Sequence, residues 1–175
     1  SKSLNRSPPL LMVPGLGASA AAFVQNPPDS SPAMLMADAG FDVFLLNYRG
    51  TRYGQRHAKL KPSEPAFWQF TLDDYSSKDA RAVVDKVLNV TAQESLFWLG
   101  HSQGTSVGFM LLADNPEYNE KIRAMFALTP LGTGQYSSGL VLLTRHIYNL
   151  FRPLITLHRY FFGATFIEIP GQLMI

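Results

Sequence analysis

The residues with the clearest chemical potential form one short segment, residues 100–104, with the sequence Gly-His-Ser-Gln-Gly. It matches the G-x-S-x-G pattern, in which a serine lies on a tight turn between a strand and a helix. The two glycines let neighbouring backbone pass close to the serine without a Cβ clash. The positive end of the following helix would also stabilise a developing oxyanion. The pattern predicts that Ser102 is a nucleophile for acyl transfer, the alternative being an ordinary turn with an incidental serine.

Acyl transfer also needs two backbone N–H groups to bind the oxyanion. One comes from the residue after the serine, here Gln103, and the other from the loop after an earlier strand. Residues 14–17, Pro-Gly-Leu-Gly, follow the apolar run 10–13 and could supply that loop. The N–H of Leu16 is therefore the second candidate donor. A turn that needs glycine for its backbone angles is a compatible second interpretation of this segment.

The partners that would activate the serine are not evident. In this type of site the order along the chain is Ser, then Asp or Glu, then His. Four carboxylates follow Ser102, and none precedes a histidine on a further predicted strand: Asp114, Glu117, Glu120 and Glu168. The histidines are predicted to pack beside the site or to lie at the surface: His57, His101, His146 and His158. The sequence therefore identifies no general base.

The same loop supports a competing hypothesis. Residues 15–20, Gly-Leu-Gly-Ala-Ser-Ala, fit the dinucleotide fingerprint G-x-G-x-x-A after a strand. That site needs an acidic residue about twenty positions further on. Asn47, Tyr48 and Arg49 occupy the corresponding region, so NAD is disfavoured and only an NADP variant remains. This hypothesis also leaves the serine turn unexplained, and we predict no cofactor and no metal.

Apolar periodicity predicts the elements that would position these residues. Short apolar runs indicate strands at 10–13, 41–47, 95–99 and 124–128, the first three of them buried. Helical patterns occupy 18–23, 34–39 and 102–113. A further helix is predicted to begin at Thr71, with Asp74 completing a capping box and with one apolar face: Ala80, Val83, Val84, Val87 and Leu88. Strands that alternate with helices predict an α/β fold with a mostly parallel sheet covered on both faces.

Composition limits the class of protein. The 175 residues suit one domain, and a net charge of +2 is too small to suggest a nucleic-acid partner. Only 16% of the residues are charged, against about 25% in average globular domains, which fits contact with apolar ligands. No apolar run approaches about eighteen residues, so no transmembrane helix is expected. There is no cysteine.

The character of the chain changes after residue 132. From Lys121 to Ile167 the sequence is apolar and basic, with no acidic residue. We therefore predict a core at residues 1–132 and a second region at 133–175.

The combination of motifs resembles the animal acid lipase family, which includes gastric lipase and lysosomal acid lipase. The similarity extends from about Leu11 to Phe162. It is carried by Gly15-Leu16, Ala18-Ser19, residues 35–43 and 47–50, Phe67-Trp68, Phe70, Asp73-Asp74, Asp79 and residues 100–104. The resemblance implies a partial α/β-hydrolase fold and, in the full-length protein, hydrolysis of triacylglycerols or cholesteryl esters without a cofactor. It also implies that Ser102 is the nucleophile and that Leu16 and Gln103 form the oxyanion hole.

The resemblance carries expectations about location. Members of the family are secreted or lysosomal glycoproteins, and two sequons, at Asn5 and Asn89, are candidate glycosylation sites. The chain begins at Ser1 without a signal-peptide pattern. In the family a signal peptide and opening strands precede this region, and the catalytic Asp and His follow it. The chain is therefore expected to be a fragment truncated at both ends and inactive alone, with the missing C-terminal half supplying Asp and His.

Two positions of the chain depart from the pattern of the family. Pro14 stands where the family usually has His, and Gly17 where it often has Leu.

In residues 133–175 the resemblance implies the start of a cap with a mobile lid, whose apolar positions would cover the acyl chains: Leu140, Leu143, Ile147 and Phe151. Its arginines would orient the enzyme at an anionic lipid–water interface. The alternative is two helices that pack on the core. A truncated, inactive fragment that binds lipid or a partner protein is the alternative function.

Overall fold

A computed structural model of the chain describes residues 7–132 together with residues 150, 153 and 154. Four parallel strands form a sheet in the order β2-β1-β3-β4. Their bounds are β1 (Pro9–Val13), β2 (Asp42–Leu45), β3 (Leu96–His101) and β4 (Ile122–Leu128). Every apolar run predicted to be a strand forms one, so the parallel α/β sheet is confirmed.

The helices follow the strands in alternation. A 3-10 turn (Ala20–Phe23) and α1 (Pro32–Asp38) connect β1 to β2. A second 3-10 turn (Pro65–Trp68) precedes α2 (Leu72–Asp74), which continues through a π-helical segment (Tyr75–Ala80) into α3 (Arg81–Thr91). After β3 come α4 (Gln103–Asp114) and the short α5 (Tyr118–Lys121). No helix within the described residues is long and apolar enough to cross a membrane.

The predicted start of the long helix is confirmed. The Asp74 carboxylate accepts a hydrogen bond from the Thr71 backbone N–H at 2.8 Å, as a capping box requires. The π-helical segment was not predicted, because the apolar spacing of the following residues is the same as in an ordinary helix. Ala80, Val84 and Val87 are buried, and Val83 and Leu88 pack against them, as expected for one apolar face.

The core lies on both faces of the sheet. Leu11, Val13 and Trp98 face the buried side chains of α3 and α4, including Val84 and Leu111. On the other face a smaller cluster packs beneath α1: Leu10, Met12, Phe23 and Ala33. Because β1 is central, all five of its residues are buried.

One burial prediction is wrong. The run 41–47 was expected to be a buried strand, but β2 is short and its residues are exposed or half-buried. It is the edge strand of the described sheet, so only one side of it pairs with a neighbour. The fully buried residues of this region, Leu46 and Tyr48, lie just beyond its carboxyl end.

Candidate active site

Ser102 lies between the last residue of β3 and the first residue of α4. Its backbone has φ 51° and ψ −116°, a conformation that side-chain-bearing residues rarely adopt. Such a backbone costs on the order of 1–3 kcal/mol and persists only where its surroundings impose it. The strained strand-to-helix turn that the G-x-S-x-G pattern predicts is therefore present at this serine.

The peptide groups on both sides of Ser102 are fixed by hydrogen bonds. Its N–H donates to the carbonyl oxygen of Leu128, at the end of β4, at 2.9 Å. Its carbonyl oxygen accepts from the Thr105 N–H at 2.9 Å and from Thr105 Oγ1 at 2.6 Å. These bonds hold the strained backbone of Ser102 in place.

The two glycines of the motif allow close backbone approach. A Cβ at Gly100 would lie 2.7 Å from the Gly104 carbonyl oxygen, and one at Gly104 would lie 2.3 Å from the Val13 carbonyl oxygen. Atoms that close cannot be accommodated without moving the backbone. Any larger residue at either position would therefore separate α4 from β1 and β3.

The loop after β1 lies beside the serine. A Cβ at Gly15 would lie 3.2 Å from Ser102 Cβ and 3.2 Å from His101 Nδ1. The next residue, Leu16, leaves 69% of its surface exposed. Gln103 is the first residue of α4, so its N–H has no partner within that helix. The structure thus brings together the segments of both predicted oxyanion donors and the predicted nucleophile.

A pair of hydroxyl groups in the first turn of α4 binds the segment after β4. The Leu131 N–H donates to Thr105 Oγ1 at 2.9 Å, and Ser106 Oγ donates to the Leu131 carbonyl oxygen at 2.5 Å. Thr105 is fully buried and bonds both the Ser102 carbonyl and the Leu131 N–H. Sequence reasoning missed this contact, because residues 105 and 131 are distant in the chain.

The described residues show no hydrogen-bonded general base for Ser102. No histidine or carboxylate of that range hydrogen-bonds its hydroxyl. His101 packs over Gly15, and His57 Nδ1 accepts the backbone N–H groups of Lys59 and Leu60. Glu117 is 3.8 Å from Arg81 in a surface ion pair. His146, His158 and Glu168 lie outside the described residues.

A partly buried ion pair joins the chain that follows β2 to the π-helical segment. Arg49 Nε donates to Asp79 Oδ1 at 2.8 Å, and the Arg49 N–H donates to Asp79 Oδ2 at 3.0 Å. This carboxylate raises the pKa of the Arg49 guanidinium. Tyr75 stacks on Tyr48 at 4.4 Å between ring centroids, and its hydroxyl donates to the Arg49 carbonyl oxygen. The π-helical segment therefore places both Tyr75 and Asp79 against the chain that follows β2.

The two tyrosines of this cluster titrate abnormally. Burial and the nearby Asp79 carboxylate raise the pKa of Tyr75 to about 12, while burial raises the pKa of Tyr48 still further. Both hydroxyls are neutral at physiological pH, as an ordinary tyrosine is, and Tyr75 contributes a hydrogen bond as well as a stacked ring. Arg49 and Asp79 belong to the motifs of the family resemblance, but the sequence did not indicate that they pair.

Several predicted positions cannot be compared with the structure. The proposed lid residues Leu140, Leu143, Ile147 and Phe151 lie outside the described residues, as does Asn5. Asn89 is exposed near the end of α3, and its glycosylation stays a prediction. Nor do the described residues hold a group of three or more side chains suited to a metal ion.

The dinucleotide hypothesis gains no support from the loop after β1. That loop leads into a four-residue 3-10 turn, Ala20–Phe23. A dinucleotide site instead needs a helix N-terminus that binds the pyrophosphate immediately after the glycines.

Comparison with known proteins gives a consistent assignment. Residues 8–148 match the family described as alpha/beta hydrolase fold. Human lipase member K is 40% identical over 130 residues, or 74% of the chain, and lipase lipl-1 of Caenorhabditis elegans is 42% identical over 77% of the chain. Gastric triacylglycerol lipase of Bos taurus is 35% identical over 94% of the chain. The resemblance to gastric-type lipases is therefore confirmed.

Coverage and structural similarity define the extent of this match. The chain spans 33% of the first two relatives and 42% of the third. Among solved structures, a carboxylesterase of Nitrososphaera gargenis superimposes with a TM-score of 0.52 at 17% identity, covering 90% of this chain and 47% of that one. That similarity shows the fold alone.

Proposed function

The chain belongs to the alpha/beta hydrolase fold family, and on that basis we propose that the full-length protein is a serine ester hydrolase of neutral lipids. Its substrates would be triacylglycerols, cholesteryl esters or both. The observation that carries the proposal is the strained backbone of Ser102 with the Gly15 loop packed against it. The similarity to lipases over most of the chain supports the lipid substrate class.

In the proposed reaction the Ser102 hydroxyl attacks the ester carbonyl carbon. A general base takes the hydroxyl proton, and the backbone N–H groups of Leu16 and Gln103 bind the oxyanion of the tetrahedral intermediate. Collapse of the intermediate breaks the ester C–O bond, and the alcohol leaves with a proton. Water then hydrolyses the acyl-serine and releases the fatty acid. By the family resemblance, a downstream His–Asp pair would supply the base.

The two regions would have different roles. Residues 1–132 would form the hydrolase core, and residues 133–175 would begin a cap over the acyl chains. Leu140, Leu143, Ile147 and Phe151 would contact the lipid, and the basic residues of the segment would favour an anionic interface. Secretion or delivery to lysosomes, with glycosylation at Asn5 and Asn89, completes the proposal.

A second candidate function applies to the 175-residue chain by itself. Because no histidine or carboxylate of residues 7–132 hydrogen-bonds the Ser102 hydroxyl, we propose that the chain alone would bind lipid or a partner protein without turnover.

The test uses emulsified trioleoylglycerol and cholesteryl oleate. We expect the full-length protein to release oleic acid from at least one of them, and the Ser102→Ala variant to release none above background. Thermal unfolding of both proteins controls for loss of fold. Ser102→Ala turnover equal to that of the parent would overturn the nucleophile assignment. Binding to the emulsion without any release would favour the second candidate.

A further inference from the structure

The Asn47 side chain forms a hydrogen bond with the loop that follows β1. It follows β2 at the carboxyl edge of the sheet, and its Oδ1 accepts the backbone N–H of Ala20 at 3.0 Å. The two residues are 27 positions apart in the chain. The bond therefore joins the loop after β2 to the segment that follows the Gly15–Gly17 turn.

The segment from Gly15, which lies beside Ser102, to Ala20 is short and contains its own hydrogen bonds. Gly15 packs against Ser102 Cβ, and its carbonyl oxygen accepts the Ala18 N–H at 3.2 Å. Ser19 is buried, and its Oγ accepts the Ala21 N–H at 3.3 Å. The loop that carries the Leu16 N–H, residues 14–20, is therefore continuous with β1 at one end. At its other end, the Ala20 N–H is bound by Asn47.

The residues on both sides of Asn47 are fixed by hydrogen bonds. Two residues further on, Arg49 is fixed to Asp79 through both its guanidinium group and its backbone N–H. Leu46, on the other side, is buried and donates its N–H to the Met12 carbonyl oxygen at 3.0 Å. The backbone at Asn47 therefore has little freedom to move, and its amide is a fixed acceptor.

We propose that Asn47 is a positioning residue, which sets the oxyanion donor Leu16 relative to Ser102 by holding the Ala20 N–H. This inference rests on the proposed function. An oxyanion donor works only when its N–H is about 2.7–3.1 Å from the oxygen of the tetrahedral intermediate. A displacement of about 1 Å can cost about a hundredfold in rate. Asn47 acts through the loop and does not itself contact the substrate.

The first experiment measures the tether without any need for turnover. Amide hydrogen exchange of residues 16–21 is followed by NMR in the parent chain, in Asn47→Leu and in Asn47→Asp. Leucine has nearly the same size but no acceptor, so we expect the Ala20 amide to exchange at least about tenfold faster. Aspartate keeps an acceptor oxygen and should retain the protection. Equal Ala20 exchange in parent and Asn47→Leu would overturn the tether, as would loss of protection in Asn47→Asp.

The second experiment measures the consequence for chemistry in the full-length protein. Active sites are titrated with a fluorophosphonate, so that kcat is expressed per reactive serine and partial unfolding does not contribute. We expect Asn47→Leu to lower kcat at least about tenfold with KM within about twofold, because the oxyanion develops only after substrate binds. Asn47→Asp should lie between Asn47→Leu and the parent. Asn115→Leu, which removes the hydrogen bond to the Leu111 carbonyl oxygen at the end of α4, is the matched control.

The outcomes separate this inference from the proposed function. A serine-dependent esterase whose kcat per titrated serine is unchanged by Asn47→Leu would overturn the positioning role and leave the proposed function intact. Equal losses in Asn47→Leu and Asn115→Leu would also overturn it, since a general loss of rigidity would then be sufficient. A parent protein without Ser102-dependent turnover would overturn the proposed function, while the exchange experiment would still decide whether the tether exists.

Discussion

At the scale of single residues, the glycines of the motif and the hydrogen bonds to the Ser102 backbone define the candidate site. The pattern of glycines in the sequence predicts the tight turn, because only glycine tolerates the approach of the Val13 carbonyl oxygen to position 104. The hydrogen bond from the Ser102 N–H to the Leu128 carbonyl oxygen could not be predicted, because Leu128 is 26 residues away in the chain and reaches Ser102 only when β4 pairs with β3. The bonds from Thr105 to the Ser102 carbonyl are local contacts of the first turn of α4.

Thr105 offers a sharp residue-scale prediction. Thr105→Val keeps the shape of the side chain but leaves the Leu131 N–H without its acceptor and removes one donor to the Ser102 carbonyl. We expect a loss of about 1–3 kcal/mol in the free energy of unfolding, the cost of unsatisfied buried polar groups. Thr105→Ser keeps the hydroxyl and should lose only about 1 kcal/mol, for one buried methyl group. Urea unfolding of the three proteins measures both changes, and equal stability of the valine and serine variants would contradict the assigned role of the hydroxyl.

At the scale of elements, the helix that runs from Leu72 to Thr91 gives the clearest comparison of sequence and structure. Its start was predictable, because Thr71 and Asp74 form a local capping pattern. The π-helical segment Tyr75–Ala80 was not, since it is stabilised by distant partners. Tyr75 stacks on Tyr48, and Asp79 pairs with Arg49. The wider turn of the π-helix therefore accompanies contacts with residues 27 to 30 positions away in the chain.

The capping box predicts a pH dependence of stability. Hydrogen bonds from Lys78 and from the Thr71 N–H lower the pKa of Asp74 from 3.8 to about 2. Because the folded-state pKa lies below that of the unfolded chain, the stabilisation is complete above the unfolded value and is lost as the pH falls through about 2. We expect Asp74→Asn to lower the urea midpoint at pH 6, and the difference from the parent to shrink between pH 4 and pH 2.

The measurement for this prediction is a series of urea titrations from pH 2 to pH 6. Asp38→Asn, at the exposed end of α1, is a control with no capping interaction. A difference between Asp74→Asn and the parent that is the same at pH 2 and pH 6 would contradict the assigned role of the charge.

At the scale of the whole molecule, the parallel sheet was predictable from the sequence, and the burial of its edge strand was not. Alternating apolar runs and helices predict the parallel order of elements, because crossover helices must cover both faces. The exposure of β2 depends on its position at the edge, which an apolar run alone does not specify. Within residues 7–132 no histidine or carboxylate hydrogen-bonds the Ser102 hydroxyl, and the chain spans 33–42% of the length of three lipases that it matches.

A base supplied by residues outside this chain, as we propose, gives a prediction about the chain by itself. We expect the 175-residue chain to hydrolyse a short-chain nitrophenyl ester about 10²–10⁴-fold more slowly than the full-length protein, the usual contribution of a general base. Circular dichroism of both proteins establishes that the chain is folded under the assay conditions. Rates for the chain within a few-fold of those of the full-length protein would show that it holds its own base.

The central claim is that Ser102 is the reactive nucleophile. The most direct measurement is reaction of the full-length protein with a fluorophosphonate, followed by proteolysis and mass spectrometry of the labelled peptide. We predict one modified residue, Ser102, and no labelling of the Ser102→Ala variant. Modification of a different residue, or undiminished labelling after Ser102→Ala, would contradict the account.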